Sequence, residues 1–120
     1  MTPEELRARC IELNGAWEDF PFPGNPELST FKVNAKIFAF SSLDSRPLTV
    51  SLKCEPEIAL RLREAHAAVA PGWHLNKRHW NTVTLDGSLD ERTVREMIED
   101  SYDLVVAGLP RAERLLLDRP

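Results

Sequence analysis

Six consecutive residues, Leu48-Thr49-Val50-Ser51-Leu52-Lys53, alternate apolar and polar without a break. Successive side chains of a strand point to opposite faces, so Leu48, Val50 and Leu52 share one side and Thr49, Ser51 and Lys53 the other. Such a strand needs a sheet with one face packed and the other in water. That is the antiparallel arrangement, because parallel sheets are covered on both faces and their strands read as continuous apolar runs. The accessible face is a candidate surface, and Lys53 belongs to it.

The flanking segments supply partners for this strand. Phe31-Lys32-Val33 and Ile37-Phe38-Ala39-Phe40 flank Asn34-Ala35-Lys36, which predicts a tight hairpin with Asn34 at positive φ. Residues 17–22 alternate aromatic with acidic or Pro residues and suit an edge segment, since Pro21 cannot donate to a ladder. Residues 23–26 form a turn or loop. Thr2-Pro3-Glu4-Glu5 opens a first helix with Thr2 as N-cap; Leu6, Cys10, Ile11 and Leu13 line its face and Asn14-Gly15 stops it. Pro56 starts a second helix, with Ile58, Leu62, Ala65 and Val69 as its expected buried stripe. Pro71-Gly72 closes the connection to a strand at residues 82–85, which ends in the Asp86-Gly87 turn. Ser88-Leu89-Asp90-Glu91 resembles a capping box. It leads into a third helix carrying Val94, Met97, Ile98, Tyr102, Val105 and Leu109, ended by Gly108 and Pro110, with a short turn in the tail. Strands in a run, flanked by helices, predict an α+β fold: an antiparallel sheet with helices packed on one face.

At 120 residues and 42% hydrophobic content, residues 1–120 are expected to form one domain around one core. The balance of 15 Lys and Arg against 19 Asp and Glu, a formal charge of −4, excludes a general attraction to polyanions, so any such binding is local. Cys10 and Cys54 make no disulfide framework and no zinc spacing, and both read as reduced, buried thiols. No basic leader precedes an apolar run and no segment approaches the roughly 20 apolar residues that span a bilayer. The expectation is a soluble cytoplasmic protein without a membrane partner.

Chemistry-bearing side chains concentrate in Gly72-Trp73-His74-Leu75-Asn76-Lys77-Arg78-His79-Trp80-Asn81-Thr82, where two indoles bracket two cations, two imidazoles and an amide. The pattern predicts a hairpin with arms beginning around Trp73 and Trp80 and residues 76–79 at its tip. Lys77 and Arg78 there can meet phosphates, Asn76, His79 and Asn81 can donate hydrogen bonds, and Trp73 or Trp80 offers a stacking face. Lys32, Lys36 and Lys53 extend the patch if the sheet brings them near. Against this stands the plainer arrangement in which Trp80 packs in the core, Asn76 and Asn81 hold a turn, and the cations are solvated.

The same stretch, with Leu85-Asp86-Gly87, Ser101-Tyr102-Asp103-Leu104-Val105, Phe20-Pro21-Phe22, Phe31-Lys32-Val33, Lys36-Ile37-Phe38-Ala39 and Ser51-Leu52-Lys53-Cys54, resembles the MmcQ/YjbR family over nearly the whole chain. Asn34-Ala35 stands where that family often has paired glycines. The resemblance implies a CyaY-like fold and a DNA-binding role of double-wing type, and it carries over no catalytic residues. It also raises iron binding by acidic helices, but Glu4, Glu5, Glu12, Glu18 and Asp19 are interleaved with Arg7 and Arg9. His74 and His79, five apart, fall on opposite faces of a strand.

No metal and no cofactor are therefore expected. His66 reads as a surface helix residue, and Ser101-Tyr102-Asp103 lies inside a helix and is no preformed triad. Tyr102 reads as a core aromatic whose hydroxyl has Lys77 or His79 as a candidate partner. The functional expectation is a small non-enzymatic domain with a weak DNA-binding surface at Asn76, Lys77, Arg78, His79, Trp80, Lys36 and Lys53. The alternative is a protein- or small-ligand-binding module that uses the polar sheet face and the same tip.

Overall fold

The computed structural model describes residues 1–72 and 76–117. Helix α1 spans Pro3–Ile11 and starts in a reciprocal cap: the Glu5 amide donates to Thr2 Oγ1 at 3.1 Å and the Thr2 amide to the Glu5 carboxylate at 3.3 Å. Leu6 and Cys10 from this helix are fully buried. The helix ends at Ile11, short of Leu13, and Gly15 instead serves the turn into β1 (Ala16–Asp19). Glycine is favoured there by its φ of +73°; a Cβ would also displace the Leu117 side chain, whose Cδ2 lies 2.6 Å from its position.

Five further strands follow: β2 (Leu28–Val33), β3 (Lys36–Ser42), β4 (Thr49–Lys53), β5 (Val69–Pro71) and β6 (Trp80–Thr84). They form one antiparallel sheet in the order β1-β2-β3-β4-β6-β5. Asn34 takes the expected left-handed conformation, φ 53°, in the β2–β3 turn. Helices α2 (Pro56–Ala65), α3 (Glu91–Ala107) and α4 (Arg111–Leu117) complete the described residues. The fold is α+β. Phe31, Val33, Val50, Leu52 and Val83 of the sheet share one core with Leu6, Cys10, Val94, Ile98 and Val105 of the helices.

The strand register shows what lies on the opposite face. Thr49 pairs with Thr84, Ser51 with Thr82 and Lys53 with Trp80; Phe40 stands across from both Ser51 and Thr30, and Lys32 across from Trp17 and Ile37. Paired residues share a face, so this side carries Trp17, Phe40 and Trp80 as well as hydroxyls and lysines. It is more aromatic than the alternation at residues 48–53 alone suggests.

A bulge modifies the β2–β3 pair. Phe31 faces Ala39 while Lys32 faces Ile37, which leaves Phe38 as the extra residue. Its ring is buried and meets Tyr102 of α3 edge-on, with centroids 5.5 Å apart. The β3–β4 register ends at Ala39 and Leu52. Beyond that point Ser101 of α3 takes over, accepting the Lys53 amide at 2.8 Å and donating to the Phe38 carbonyl at 2.5 Å.

Several local expectations are corrected. In α2 the buried residue is Ala59; Ile58 is 43% exposed and Ala65 is exposed. The helix ends before Val69, which is the first residue of β5, so the first hairpin arm is residues 69–71 and precedes Trp73. His66 is the extended C-cap residue of α2. The α3 N-cap is Asp90, accepting the Thr93 amide at 2.8 Å, in place of Ser88. The tail forms helix α4 where a short turn was expected. The Tyr102 hydroxyl donates to the Asn14 carbonyl, on the α1 side and away from Lys77 and His79. No helix of the described residues is long and apolar enough to cross a membrane.

Ser101→Ala strands a buried amide and a buried carbonyl, each of which costs free energy when left unpaired. It is expected to lower unfolding stability by about 2 kcal/mol, read as a lower urea midpoint with an unchanged slope.

Candidate functional site

The hairpin joining β5 to β6 is fastened at its base. The Gly72 amide donates to the Trp80 carbonyl at 2.8 Å, and the Cys54 amide, just past β4, to the His79 carbonyl at 2.7 Å. Asn76 builds the turn itself. Its carbonyl accepts the amides of His79 and Trp80 at 3.1 and 3.0 Å, and its side-chain oxygen accepts the Arg78 amide at 3.0 Å. Lys77 and Arg78 are left exposed at the tip, with His79 half-buried behind them. Trp73 and His74, also named from the sequence, lie outside the described residues.

Arg63 of α2 holds this turn from the helix side. Its Nε donates to Asn81 Oδ1 at 2.7 Å, and its Nη2 to the carbonyls of Lys77 and Trp80. Asn81, 2% exposed, donates in turn to the Ala59 carbonyl at 3.4 Å. Asn81 is thus committed to structure and is no ligand donor, contrary to its sequence assignment. Trp80 is half-buried but outside the core, tilted against Phe40 on the opposite sheet face with ring centroids 5.4 Å apart.

The sheet unites the other assigned residues. Lys36 and Lys53 line one open groove of about 490 Å³ with Trp80, Ile37 and, from the end of α3, Leu104 and Gly108. Trp80 also follows directly on the turn that carries Lys77 and Arg78. Among the described residues none of these four cations is in an ion pair with a carboxylate. Lys32 differs. It bonds Asp19 at 2.7 Å and sits 5.3 Å from the Trp17 ring centroid, and that bond to Lys32 holds the Asp19 carboxyl below its usual range.

Acids gather at the other ends of the same strands. Glu27 and Asp44 lie close enough that the hydrogen bond and charge of Asp44 raise the Glu27 carboxyl. Asp86 follows β6 there, held low by Ser88.

Comparison with known proteins adds identity to this geometry. Residues 11–104 match the YjbR family model. The chain is 39% identical over 118 residues to the Escherichia coli K12 protein named "Uncharacterized protein YjbR", covering 98% of both chains. The chain belongs to the YjbR family. It is also 32% identical over 107 residues to YbdF of Escherichia coli O157:H7, covering 89% of this chain and 88% of that one. Among solved structures, the Deinococcus radiodurans protein DR2400, family-model domain DUF419, superposes with a TM-score of 0.90 at 42% identity over 99% of this chain and 89% of its own. A Pseudomonas syringae crystal structure matches at 0.75 and 28% identity, over 87% and 98%.

Other chemistry in this YjbR-family chain is limited by its surroundings. Among the described residues no three His, Cys, Asp or Glu side chains converge as a metal site. Arg7 engages Glu18, and Arg9 engages Glu12. Burial pushes the Cys10 thiol up to about 12, helped by Glu18 and Glu12. Cys54 is half-buried where full burial was expected, and desolvation followed by Asp100 raises its thiol too. Neither is an activated nucleophile at neutral pH.

Sequence reasoning missed Arg63, because periodicity marks it only as one more polar residue of α2. It also missed Trp17 and Phe40 as neighbours of the site across the sheet, although their alternation with Glu18, Asp19, Ala39 and Ser41 was a usable signal.

Two outcomes follow. Arg63→Ala should accelerate hydrogen exchange at the His79 and Trp80 amides while leaving the buried turns of α3 unchanged. Arg63→Lys should rescue little, since an ammonium cannot reproduce the guanidinium fork. For Cys10, the folded-state value lies above its ordinary 9.0, so its protonated form stabilises the fold fully below that pH. This contribution is lost as pH rises toward 12. Urea midpoints measured from pH 8 upward should fall more steeply for the wild type than for Cys10→Ala.

Proposed function

We propose that this YjbR-family chain is a non-enzymatic domain that binds nucleic acid weakly through the end of its sheet that carries the 76–79 turn. The observation that supports this reading is charge segregation. Lys36 and Lys53 line the groove beside Trp80, Lys77 and Arg78 lie in the turn that leads into it, and none of the four is in an ion pair with a carboxylate among the described residues. Glu27, Asp44 and Asp86 stand at the opposite end, and Glu113, at the near end, is bonded to Asn34. Lys77 and Arg78 supply phosphate contacts, Lys36 and Lys53 extend them, and Trp80 and His79 offer ring surface and a hydrogen-bond donor beside the backbone track. Asn76 contributes through its amide Nδ2, since its oxygen is spent on the turn.

Four cations set the scale. The logarithm of duplex affinity should fall with the logarithm of salt with a slope no steeper than about −4, far below that of a protein making many phosphate contacts. Fluorescence anisotropy of a labelled duplex at low and moderate salt measures it. Lys77→Ala with Arg78→Ala should halve the slope and weaken low-salt binding at least tenfold. Wild-type protein that binds neither this duplex nor a single strand of the same length at low salt, or a double variant that binds unchanged, would refute the reading.

A second reading, a protein-binding module, is favoured by one observation. Trp17, Phe20 and Phe22 are 44%, 51% and 44% exposed, an apolar set next to the same sheet face. A partner held there should stay bound in high salt, where phosphate contacts are lost.

A further inference from the structure

The sheet face turned away from the helices carries more than the hairpin needs. Trp17, Phe40 and Trp80 stand on β1, β3 and β6, on the same side as Lys32 and Lys53. With strands about 4.8 Å apart, the four steps from β1 to β6 in the sheet order put Trp17 about 19 Å from Trp80. Between them, Thr30 and Ser51 are 0% and 8% exposed. What this face offers a ligand is therefore ring and lysine stem. Trp17 is fixed, its Nε1 donating to the Asn34 carbonyl at 2.9 Å, and it remains 44% exposed.

We propose that this face, from Trp17 past Phe40 to Trp80, is a stacking platform for single-stranded nucleic acid whose phosphates follow Lys36, Lys53, Lys77 and Arg78. The inference rests on the nucleic-acid reading above and narrows its ligand. Two features select a single strand. Aromatic side chains on a sheet stack on bases that are free of a duplex, and duplex bases are already stacked on each other. Four cations are also few for holding a rod whose two strands both present phosphates, whereas a single strand can place bases on the rings and its one backbone along the basic end. The carboxylates nearest Trp17 are engaged: Asp19 is paired with Lys32, and Glu113 accepts from the Asn34 side chain at 3.0 Å, while Glu27 and Asp44 lie at the far end. Asp100 and Asp103 belong to α3, on the helix side of the sheet.

The test is fluorescence anisotropy at low salt with a labelled oligothymidylate and a duplex of equal length, using the wild type, Lys77→Ala with Arg78→Ala, Trp17→Ala and Trp17→Phe. The single strand should bind at least tenfold tighter than the duplex. Trp17→Ala should weaken single-strand binding about tenfold, the loss expected for one stacked base, and leave duplex binding unchanged. Trp17→Phe, which keeps a stacking ring and the fold, should restore most of it. Wild-type tryptophan emission should also be quenched at saturating oligothymidylate and left unchanged by inorganic polyphosphate. Equal or tighter duplex binding overturns the platform, as does unaltered emission at saturation or a Trp17→Ala affinity equal to wild type. If the Lys77 and Arg78 substitutions still weaken binding in those cases, the hairpin reading stands without the platform. If neither probe binds at low salt, both fail.

Discussion

The arrangement depends on one hydroxyl. The bulge at Phe38 turns that ring into the core against Tyr102 and in doing so ends the regular β3–β4 ladder after Ala39 and Leu52. The next carbonyl and amide, of Phe38 and Lys53, would be buried without partners, at a cost of about 1–3 kcal/mol each. Ser101 Oγ satisfies both. At the other end of the same strand pair, Ser41 Oγ donates to the Thr49 carbonyl at 2.5 Å. The central seam of the sheet is therefore closed by two serine side chains, one of them from a helix. This fixes the height of α3 on the sheet and the direction in which β4 leaves it. Because Lys53 pairs with Trp80, and the next amide, of Cys54, binds the His79 carbonyl, the position of the hairpin tip is inherited from Ser101.

Arg63 performs the matching task from α2. Its half-buried guanidinium is held against neutral oxygens, those of Asn81, Lys77 and Trp80. Hydrogen bonds from a charged donor are stronger than neutral ones, and carbonyl acceptors leave the positive charge uncancelled near the tip. Asn76, Asn81 and Arg63 thus hold the backbone of the turn, and the side chains of Lys77 and Arg78 are in no ion pair with a carboxylate among the described residues. The segment is polar for two separate reasons that its composition merges into one.

That merging explains what could be read from the sequence and what could not. The alternation at residues 48–53 specified the sheet and its two faces because strand parity is a local property. The positive φ at Asn34 and the α1 cap were legible for the same reason. Helix α2 was misphased because small Ala59 is its buried residue, its carbonyl accepting from Asn81 of β6, while Ile58 and Leu60 stay outside, at 43% and 54% exposure. Hydrophobic spacing ranks residues by their size, and here a small residue faces inward. At the site, Lys77 and Arg78 were visible as a pair, but their grouping with Lys36 and Lys53 depends on β4 lying beside β6, a pairing across an intervening helix and strand. Trp80 takes the outer position of the site reading, whereas Asn81, expected there as a hydrogen-bond donor, turns inward. One residue of register decides which of two neighbours faces the core.

The segregation of charge along the strands is what the proposed binding requires of a chain of net charge −4. A strand of five to seven residues is about 16–23 Å long, roughly two Debye lengths at physiological ionic strength. Across that distance Glu27, Asp44 and Asp86 are largely screened from a phosphate at the Lys36, Lys53, Lys77 and Arg78 end, where Glu113 is bonded to Asn34. As salt is lowered the cations strengthen, but the acidic remainder comes within electrostatic range and opposes them. Under the proposed reading such an attraction would be local and shallow in its salt dependence, and its specificity would come from what lies beside the charges, the aromatic rings of the sheet face.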